Sequence, residues 1–127
     1  MLCLLSDQPI PNLLSVHHFQ PDRLVLVESE DMRRRKIAGH FLQALKLGGL
    51  DYTERADTYP LDLVDDLETV RQCLRRAYGV HSSAQWIANL TGGTKPMSIA
   101  AYEFFKAVGA RLVYINATRP DDMLGLD

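Results

Sequence analysis

The sequence predicts an α/β protein: a Rossmann-like three-layer sandwich whose sheet is mainly parallel, with helices on both faces. Short β-rich apolar runs alternate with longer stretches in which apolar residues recur every three or four positions. This alternation is typical of a parallel sheet built from strand–helix–strand units. The length of 127 residues fits a single domain over residues 1–127.

Five strands are predicted from the short apolar runs. The second is apolar at four consecutive positions, Leu24–Val27, as expected for a strand that is covered on both faces. The fifth has the same character at Leu112–Ile115. The predicted strands are Leu2–Leu5, Arg23–Glu28, Tyr52–Ala56, Gln85–Asn89 and Arg111–Asn116.

Four helices are predicted between the strands, at about Asn12–His18, Glu30–Leu47, Asp62–Gly79 and Lys95–Val108. Ser29 is placed to cap the second helix, and Gly48–Gly49 to end it. Apolar residues at helical spacing define the faces expected to be buried. These are Ile37, Phe41, Leu42 and Leu45 in the second helix, Leu63, Leu67, Val70 and Leu74 in the third, and Ile99, Ala100, Phe104 and Ala107 in the fourth.

The connections predict a strand order of 3-2-1-4-5. Right-handed crossovers place the first three strands to one side, and the chain then returns beside the first strand. The order therefore reverses between strands one and four. The loops that follow them, Ser6–Asn12 and Asn89–Lys95, are expected to meet at the carboxyl edge of the sheet and form a ligand-binding crevice.

The loop after the fourth strand has the residue types of a phosphate site. Its two glycines let backbone amides approach a ligand, its threonines add hydroxyls, its lysine adds a charge, and a helix begins directly after it. The loop reads Asn89-Leu90-Thr91-Gly92-Gly93-Thr94-Lys95-Pro96. The alternative interpretation is a tight turn in which Thr94 caps the helix.

The loop after the first strand offers a neutral set of hydrogen-bonding groups. Ser6, Gln8 and Asn12 suit ribose hydroxyls, a base edge or a phosphate oxygen. The alternative is a proline-stiffened turn in which Asn12 caps the first helix. Neither loop matches the Walker pattern or the dinucleotide fingerprint, which disfavours a nicotinamide dehydrogenase.

Composition excludes several classes of function. With 14 Lys and Arg against 16 Asp and Glu, the net charge of −2 argues against a general nucleic-acid coat, and no direct binding to duplex DNA is expected. The two cysteines, Cys3 and Cys73, lack the spacing of a disulfide framework or a zinc site. The adjacent acids Asp121 and Asp122 are typical of a solvated turn, so neither a metal site nor a cofactor is predicted.

The start of the chain lacks a basic leader, and no apolar run approaches the length of a membrane span. We therefore expect a cytoplasmic protein with no membrane partner.

Charged and aromatic residues outside the two loops have ordinary structural interpretations. The run Arg33–Lys36 can steer an anionic ligand, but with acids just upstream it is more typical of a solvated helix face with i,i+4 ion pairs. Trp86 is expected in the core or a dimer interface. The last helix carries the aromatic residues Tyr102, Phe104 and Phe105. Two of the three are expected in the core, and Tyr102 could face a dimer partner.

Two motifs taken together resemble a known family. Gln8-Pro9-Ile10-Pro11-Asn12 after the first strand and Asn89-Leu90-Thr91-Gly92-Gly93-Thr94-Lys95 after the fourth are similar to those of the CRISPR-associated Rossmann fold (CARF) domain. The resemblance is to the N-terminal sensor domain of the Can and Card nucleases, which cyclic oligoadenylates activate in type III CRISPR defence. It covers essentially the whole chain.

The resemblance implies a homodimer in which two crevices join across a two-fold axis around one cyclic oligoadenylate, most often cyclic tetra-adenylate. It implies an effector nuclease domain as well, either in a full-length protein or on a separate chain. Since no such domain follows Asp127, nuclease activity is not expected here. The implied ligand contacts are Ser6, Gln8, Asn89, Thr91, Gly92, Gly93, Thr94 and Lys95, with Ser29, Glu30 and Asp31 as weaker candidates.

The alternative function is enzymatic. Some CARF domains are ring nucleases that cleave their own ligand without metal, by attack of a ribose 2′-OH on the adjacent phosphate. Lys95 would then stabilise charge on the phosphate, and Ser6 or Thr91 would orient the hydroxyl. No histidine is expected at the crevice as a general base, which favours sensing over catalysis. A transcription regulator would need a helix-turn-helix, which the sequence does not contain.

Overall fold

Strands and helices alternate through the chain in the computed structural model, which describes residues 1–63, 65–115 and the backbone of 123–125. The predicted end of the fifth strand at Asn116 and the acids Asp121 and Asp122 lie outside the described residues. The elements are β1 (Leu2–Leu4), α1 (Ile10–Phe19), β2 (Leu24–Ser29), α2 (Glu30–Arg34), α3 (Ile37–Leu47), β3 (Ala56–Leu61), α4 (Leu67–Val80), β4 (Ile87–Asn89), α5 (Lys95–Ala107), β5 (Arg111–Ile115) and β6 (Met123–Gly125).

The sheet has the order β3-β2-β1-β4-β5-β6. The first five strands are parallel to their neighbours, which confirms the predicted order 3-2-1-4-5. The sixth, β6, runs antiparallel to β5 and was not predicted. Three residues are too few to give a periodic signal, and an antiparallel neighbour needs no crossover helix.

The core lies on both faces of the sheet. Leu2 and Leu4 of β1 point into one layer, which α4 and α5 cover, whereas Cys3 and Leu5 point into the other, beneath α1 and α3. Because successive strand residues face opposite sides, a strand covered on both faces must be apolar at every position. β1 and most of β2 meet this requirement.

The third strand begins later than predicted, at Ala56 rather than Tyr52. Tyr52 is buried in the preceding turn, where its ring packs against the Arg55 guanidinium and its hydroxyl donates to the Pro21 carbonyl oxygen. β3 is an edge strand of mixed polarity, and Pro60 is tolerated in it for that reason.

Two predicted helices have different bounds from those expected. The third begins at Leu67 rather than Asp62, so Leu63 is outside it and 60% exposed. The second is split into α2 and α3, because Lys36 has a left-handed backbone with φ of 55°. The predicted cap at its start is confirmed, since Ser29 Oγ accepts a hydrogen bond from the Met32 amide.

The buried face of α5 is rotated from the one predicted. Of the predicted residues Ala100 is buried and Phe104 partly buried, but Ala107 is exposed and Ile99 is 49% exposed. The helix is apolar around most of its circumference, so spacing alone did not identify which face the sheet covers. The buried residues of α5 are Met97, Ala100, Ala101 and Phe105.

No helix among the described residues is both long enough and apolar enough to cross a bilayer.

Candidate functional site

The loops after β1 and β4 lie against each other at the carboxyl edge of the sheet, as predicted. A Cβ atom on Gly92 would lie 2.5 Å from the Leu4 carbonyl oxygen and 3.5 Å from Ser6 Oγ. Gly92 also has a φ of 90°, a conformation that L residues rarely adopt. Both the close approach and the backbone geometry therefore require glycine at this position.

A buried polar network holds the two loops together. Asn89 Nδ2 lies 2.9 Å from Asn12 Oδ1 and 2.8 Å from Ser15 Oγ, both on α1. Asn89 Oδ1 accepts from the Thr91 amide, and Asn12 Nδ2 donates to the Leu4 carbonyl oxygen. Asn12 lies inside α1, whose cap is Pro9, so the alternative interpretation of Asn12 as the helix cap is wrong. The two asparagine side chains connect β1, β4 and α1.

Two hydroxyls fix the rest of the β4 loop. Thr91 is buried, and its Oγ1 accepts from the Ile115 amide at the end of β5 over 2.7 Å. Ser98 Oγ lies 3.0 Å from the Leu90 carbonyl oxygen and 3.2 Å from that of Gly92. Polar groups on α5 and β5 thus hold the loop from both sides.

The tip of the loop leads directly into α5. Gly93, like Gly92, has a positive φ, of 68°. Thr94 caps the helix, with its Oγ1 accepting from the Met97 amide, so the capping interpretation is confirmed. Within the described residues, the amides of Gly92 and Gly93 donate to no group of the chain. Successive unpaired amides at a helix N-terminus form a concavity that favours anions.

A crevice of about 500 Å³ lies beside this tip. Of the predicted contacts, Ser6, Gly93 and Thr94 line it, and so do the weaker candidates Ser29, Glu30 and Asp31. Gln8 and Lys95 are exposed and lie outside its lining. Asn89 and Thr91 are buried behind it, where their side chains hold the loop.

The crevice has a second wall, from a segment that the sequence suggested could steer an anion but indicated more strongly as a solvated helix face. Arg34 and Arg35 line it from α2 and its C-cap, and Asp7 and Asp62 also contribute. Arg34 lies 3.2 Å and Arg35 3.4 Å from the Asp31 carboxylate, which confirms the predicted ion pairs along the helix. The left-handed residue Lys36 separates this wall from α3. The sequence did not predict this interruption of the helix.

One buried carboxyl lies beneath that wall. Glu28, near the end of β2, is buried, and desolvation raises its pKa, an effect that the positive charge of Arg33 partly offsets. Folding therefore shifts the protonation of this carboxyl to a higher pH than in the unfolded chain.

The described residues include few reactive groups near the crevice. Burial raises the pKa of the Cys3 thiol to about 12 and also raises that of Cys73, so neither is a nucleophile at neutral pH. His40 on α3 is exposed and lines a neighbouring cavity of about 220 Å³ together with Ser6 and Asp7. Among the described residues no cluster of three His, Cys, Asp or Glu side chains is placed to hold a metal ion.

A larger cavity, about 860 Å³, lies at the opposite, amino edge of the sheet. In its lining, Arg23 and His81 each lie 3.6 Å from the Asp57 carboxylate. Trp86, which also lines it, is buried in the core beside Phe105, as one of its two predicted interpretations requires. The loop with unpaired amides lies at the other edge, which makes the smaller crevice the candidate site.

Comparisons with known proteins identify the family of the chain. A family model for the Card1 CARF domain matches residues 1–125. No curated protein sequence matches the chain. Among solved structures, Can2 from Sulfobacillus thermosulfidooxidans in complex with cyclic tetra-adenylate is similar, with a TM-score of 0.83 and 24% identity over 98% of this chain.

Two further structures share the fold. A type III CRISPR defence DNA nuclease activated by cyclic oligoadenylate has a TM-score of 0.73 and 25% identity over 99% of this chain. Csm6 of Enterococcus italicus, bound to cyclic hexa-2′-fluoro-hexa-dAMP, has a TM-score of 0.66 and 18% identity over 86% of this chain. The chain spans 34%, 19% and 29% of the lengths of these three proteins, respectively.

Proposed function

Because the chain belongs to the CARF family, we propose that its crevice binds a cyclic oligoadenylate, and that it is the sensor of a type III CRISPR antiviral response. Cyclic tetra-adenylate is the ring we expect. The observation that carries the proposal is the pair of unpaired amides at Gly92 and Gly93, just before α5, of which Gly93 lines the crevice. A phosphodiester is the part of the ligand that such amides suit.

The predicted contacts divide into two groups in this proposal. Ser6, Thr94 and the two glycine amides contact the ring directly, and Gln8 and Lys95 reach it from the rim. Asn89 and Thr91 act as positioning residues, because their side chains are buried and hydrogen-bonded within the protein.

We expect a homodimer around one ring. An exposed stripe on α5 supports a second copy: Lys95, Ile99, Tyr102 and Lys106 recur at helical spacing on one side of the helix, and all four are exposed. Tyr102 is 36% exposed, and Tyr114, on the face of β5 that α5 covers, is 43% exposed. Because this stripe begins at Lys95, beside the crevice, a two-fold contact along it would bring two crevices together.

The effector remains a separate part of the proposal. Since the chain spans 34% of Can2 and 19% of the CRISPR defence nuclease, the domain that acts on nucleic acid would lie elsewhere in a longer protein or on another chain. Ligand binding at the carboxyl edge would then be relayed to it through the dimer.

A ring nuclease is the second candidate, and the position of His40 favours it. The ribose 2′-OH would attack the adjacent phosphorus, leaving a 2′,3′-cyclic phosphate and a free 5′-OH, while a base accepts the hydroxyl proton. His40 lines a separate cavity that shares Ser6 and Asp7 with the crevice, and we take it as the candidate base. Lys95 remains available at the rim to stabilise charge, whereas Thr91 Oγ1 is occupied by Ile115.

The test is a calorimetric titration with cyclic tri-, tetra- and hexa-adenylate, with linear tetra-adenylate as the control for a general attraction to phosphates. Tight binding of one ring per two chains supports the sensor. Chromatography of the recovered ligand in EDTA separates the candidates, since linear product that disappears in a His40→Ala variant would indicate a ring nuclease. Failure to bind any ring, or equal binding of the linear control, would contradict the proposal.

A further inference from the structure

We propose that Arg34 and Arg35 bind the phosphates of the ligand by leaving the carboxylates with which they pair in this structure. The inference rests on the proposed function and adds a second, movable wall to its site. Both arginines line the crevice across from Gly93 and Thr94, on a part of the chain that the loop motifs do not include.

The charges around the crevice explain why an exchange is needed. Two guanidinium groups line the crevice, together with the four carboxylates of Asp7, Glu30, Asp31 and Asp62. As long as both arginines stay paired with carboxylates, a polyanionic ring therefore meets a negatively charged crevice. Binding becomes favourable when the guanidinium groups turn from carboxylate to phosphate. A phosphate has two oxygens that can accept both hydrogen bonds of the planar guanidinium, just as a carboxylate does.

The present ion pairs are weak enough to be exchanged. Arg35 Nη1 lies 3.4 Å from Asp31 Oδ2 and 3.9 Å from Asp7 Oδ2, and all three side chains are about half exposed. Exposed ion pairs of this kind contribute little to stability. Through Asp7 and Asp31, Arg35 links the first loop to α2 across the mouth of the crevice.

The backbone lets this wall move independently. The left-handed residue Lys36 separates α2, which has five residues, from the longer α3. None of the residues of α2 is buried, whereas α3 is anchored in the core by Phe41 and Leu45. A shift of α2 toward the ligand therefore leaves the core intact.

The experiment measures binding of cyclic tetra-adenylate by calorimetry to the whole chain and to paired variants. Arg35→Ala is expected to weaken binding about 10-fold or more, the scale of a lost charge-assisted hydrogen bond. Arg35→Lys should restore only part of it, because lysine cannot form the bidentate contact. The charge-matched control is Arg75→Ala, since Arg75 is exposed on α4 and pairs with Glu68 outside the crevice.

Asp31→Asn provides the opposite test. Releasing both arginines from their shared carboxylate should tighten binding severalfold, whereas Glu54→Gln, the same charge change at an exposed residue remote from the crevice, should leave it unchanged. Thermal unfolding checks that each variant is folded.

The outcomes separate the two levels of the proposal. If the wild type binds the ring but Arg35→Ala matches Arg75→Ala, the role of the arginine wall is wrong and the sensor stands. Equal affinities of Asp31→Asn and Glu54→Gln would overturn the exchange in the same way. If the wild type binds no ring, the proposed function fails, and this inference fails with it.

Discussion

The two walls of the crevice are built in opposite ways. The loop wall is held by Asn89, Asn12, Ser15 and Thr91, whose side chains are buried and hydrogen-bonded. The α2 wall is held by exposed ion pairs around Asp31. Buried polar networks are costly to disrupt, and exposed ion pairs are not. One wall is therefore fixed by folding, and the other is left adjustable.

The largest expected effect comes from breaking the fixed wall at its centre. Asn89→Leu removes the partner of Asn12, of Ser15 and of the Thr91 amide, and each buried group left unpaired costs about 1–3 kcal/mol. We expect the free energy of unfolding in urea to fall by about 3 kcal/mol or more. Gln43→Leu, which also replaces a side-chain amide by leucine but at an exposed position on α3, is the control and should remain within about 0.5 kcal/mol of wild type. Equal effects of the two changes would show that the network does not stabilise the wall.

A smaller effect is expected where the fixed wall touches β1. Gly92→Ala places a Cβ 2.5 Å from the Leu4 carbonyl oxygen at a positive φ, and we expect a loss of about 1–3 kcal/mol, measured by urea unfolding. The matched control is Gly39→Ala within α3, where a Cβ meets nothing within 4 Å. That change should stabilise the protein by about 0.5–1 kcal/mol, since alanine is the better helix former. A neutral Gly92→Ala would contradict the close packing of the loops.

The buried Glu28 carboxyl gives a pH-dependent test beneath the adjustable wall. Because its pKa is raised in the folded state, its contribution to stability is present below the unfolded pKa and is lost as the pH rises through the raised value. Glu28→Gln should therefore raise the thermal midpoint at neutral pH and flatten its dependence on pH in the weakly acidic range. Parallel pH profiles for the variant and the wild type would contradict the raised pKa.

The smallest effect on stability is expected at the adjustable wall itself. Asp31→Ala removes ion pairs to Arg34 and Arg35 that are exposed, so the free energy of unfolding should change by less than about 1 kcal/mol. Urea unfolding at low and high salt measures this change. The difference in unfolding free energy between the variant and the wild type should shrink as salt screens the ion pairs. A loss comparable to that of Asn89→Leu would erase the contrast between the walls.

The sequence predicts the strand order and the meeting of the two loops, because a continuously apolar β2 and four crossovers constrain the topology strongly. It does not predict the inward orientation of Asn89, since an amide after a strand suits a ligand and a buried network equally well. The sequence also does not predict the division of the second helix at Lys36, because neither glycine nor proline stands there. The arginine wall was therefore hidden inside a helix that the periodicity predicts to be continuous.

The short length of α2 determines how fast this wall can rearrange. A helix of five residues is far below the length that persists by itself in water, so its rearrangement needs only the loss and recovery of about one turn. Helix–coil changes of this kind take on the order of a microsecond or less. Movement of this wall is thus faster than diffusional encounter at ordinary ligand concentrations, so the rearrangement of α2 would not limit the rate at which a ligand binds.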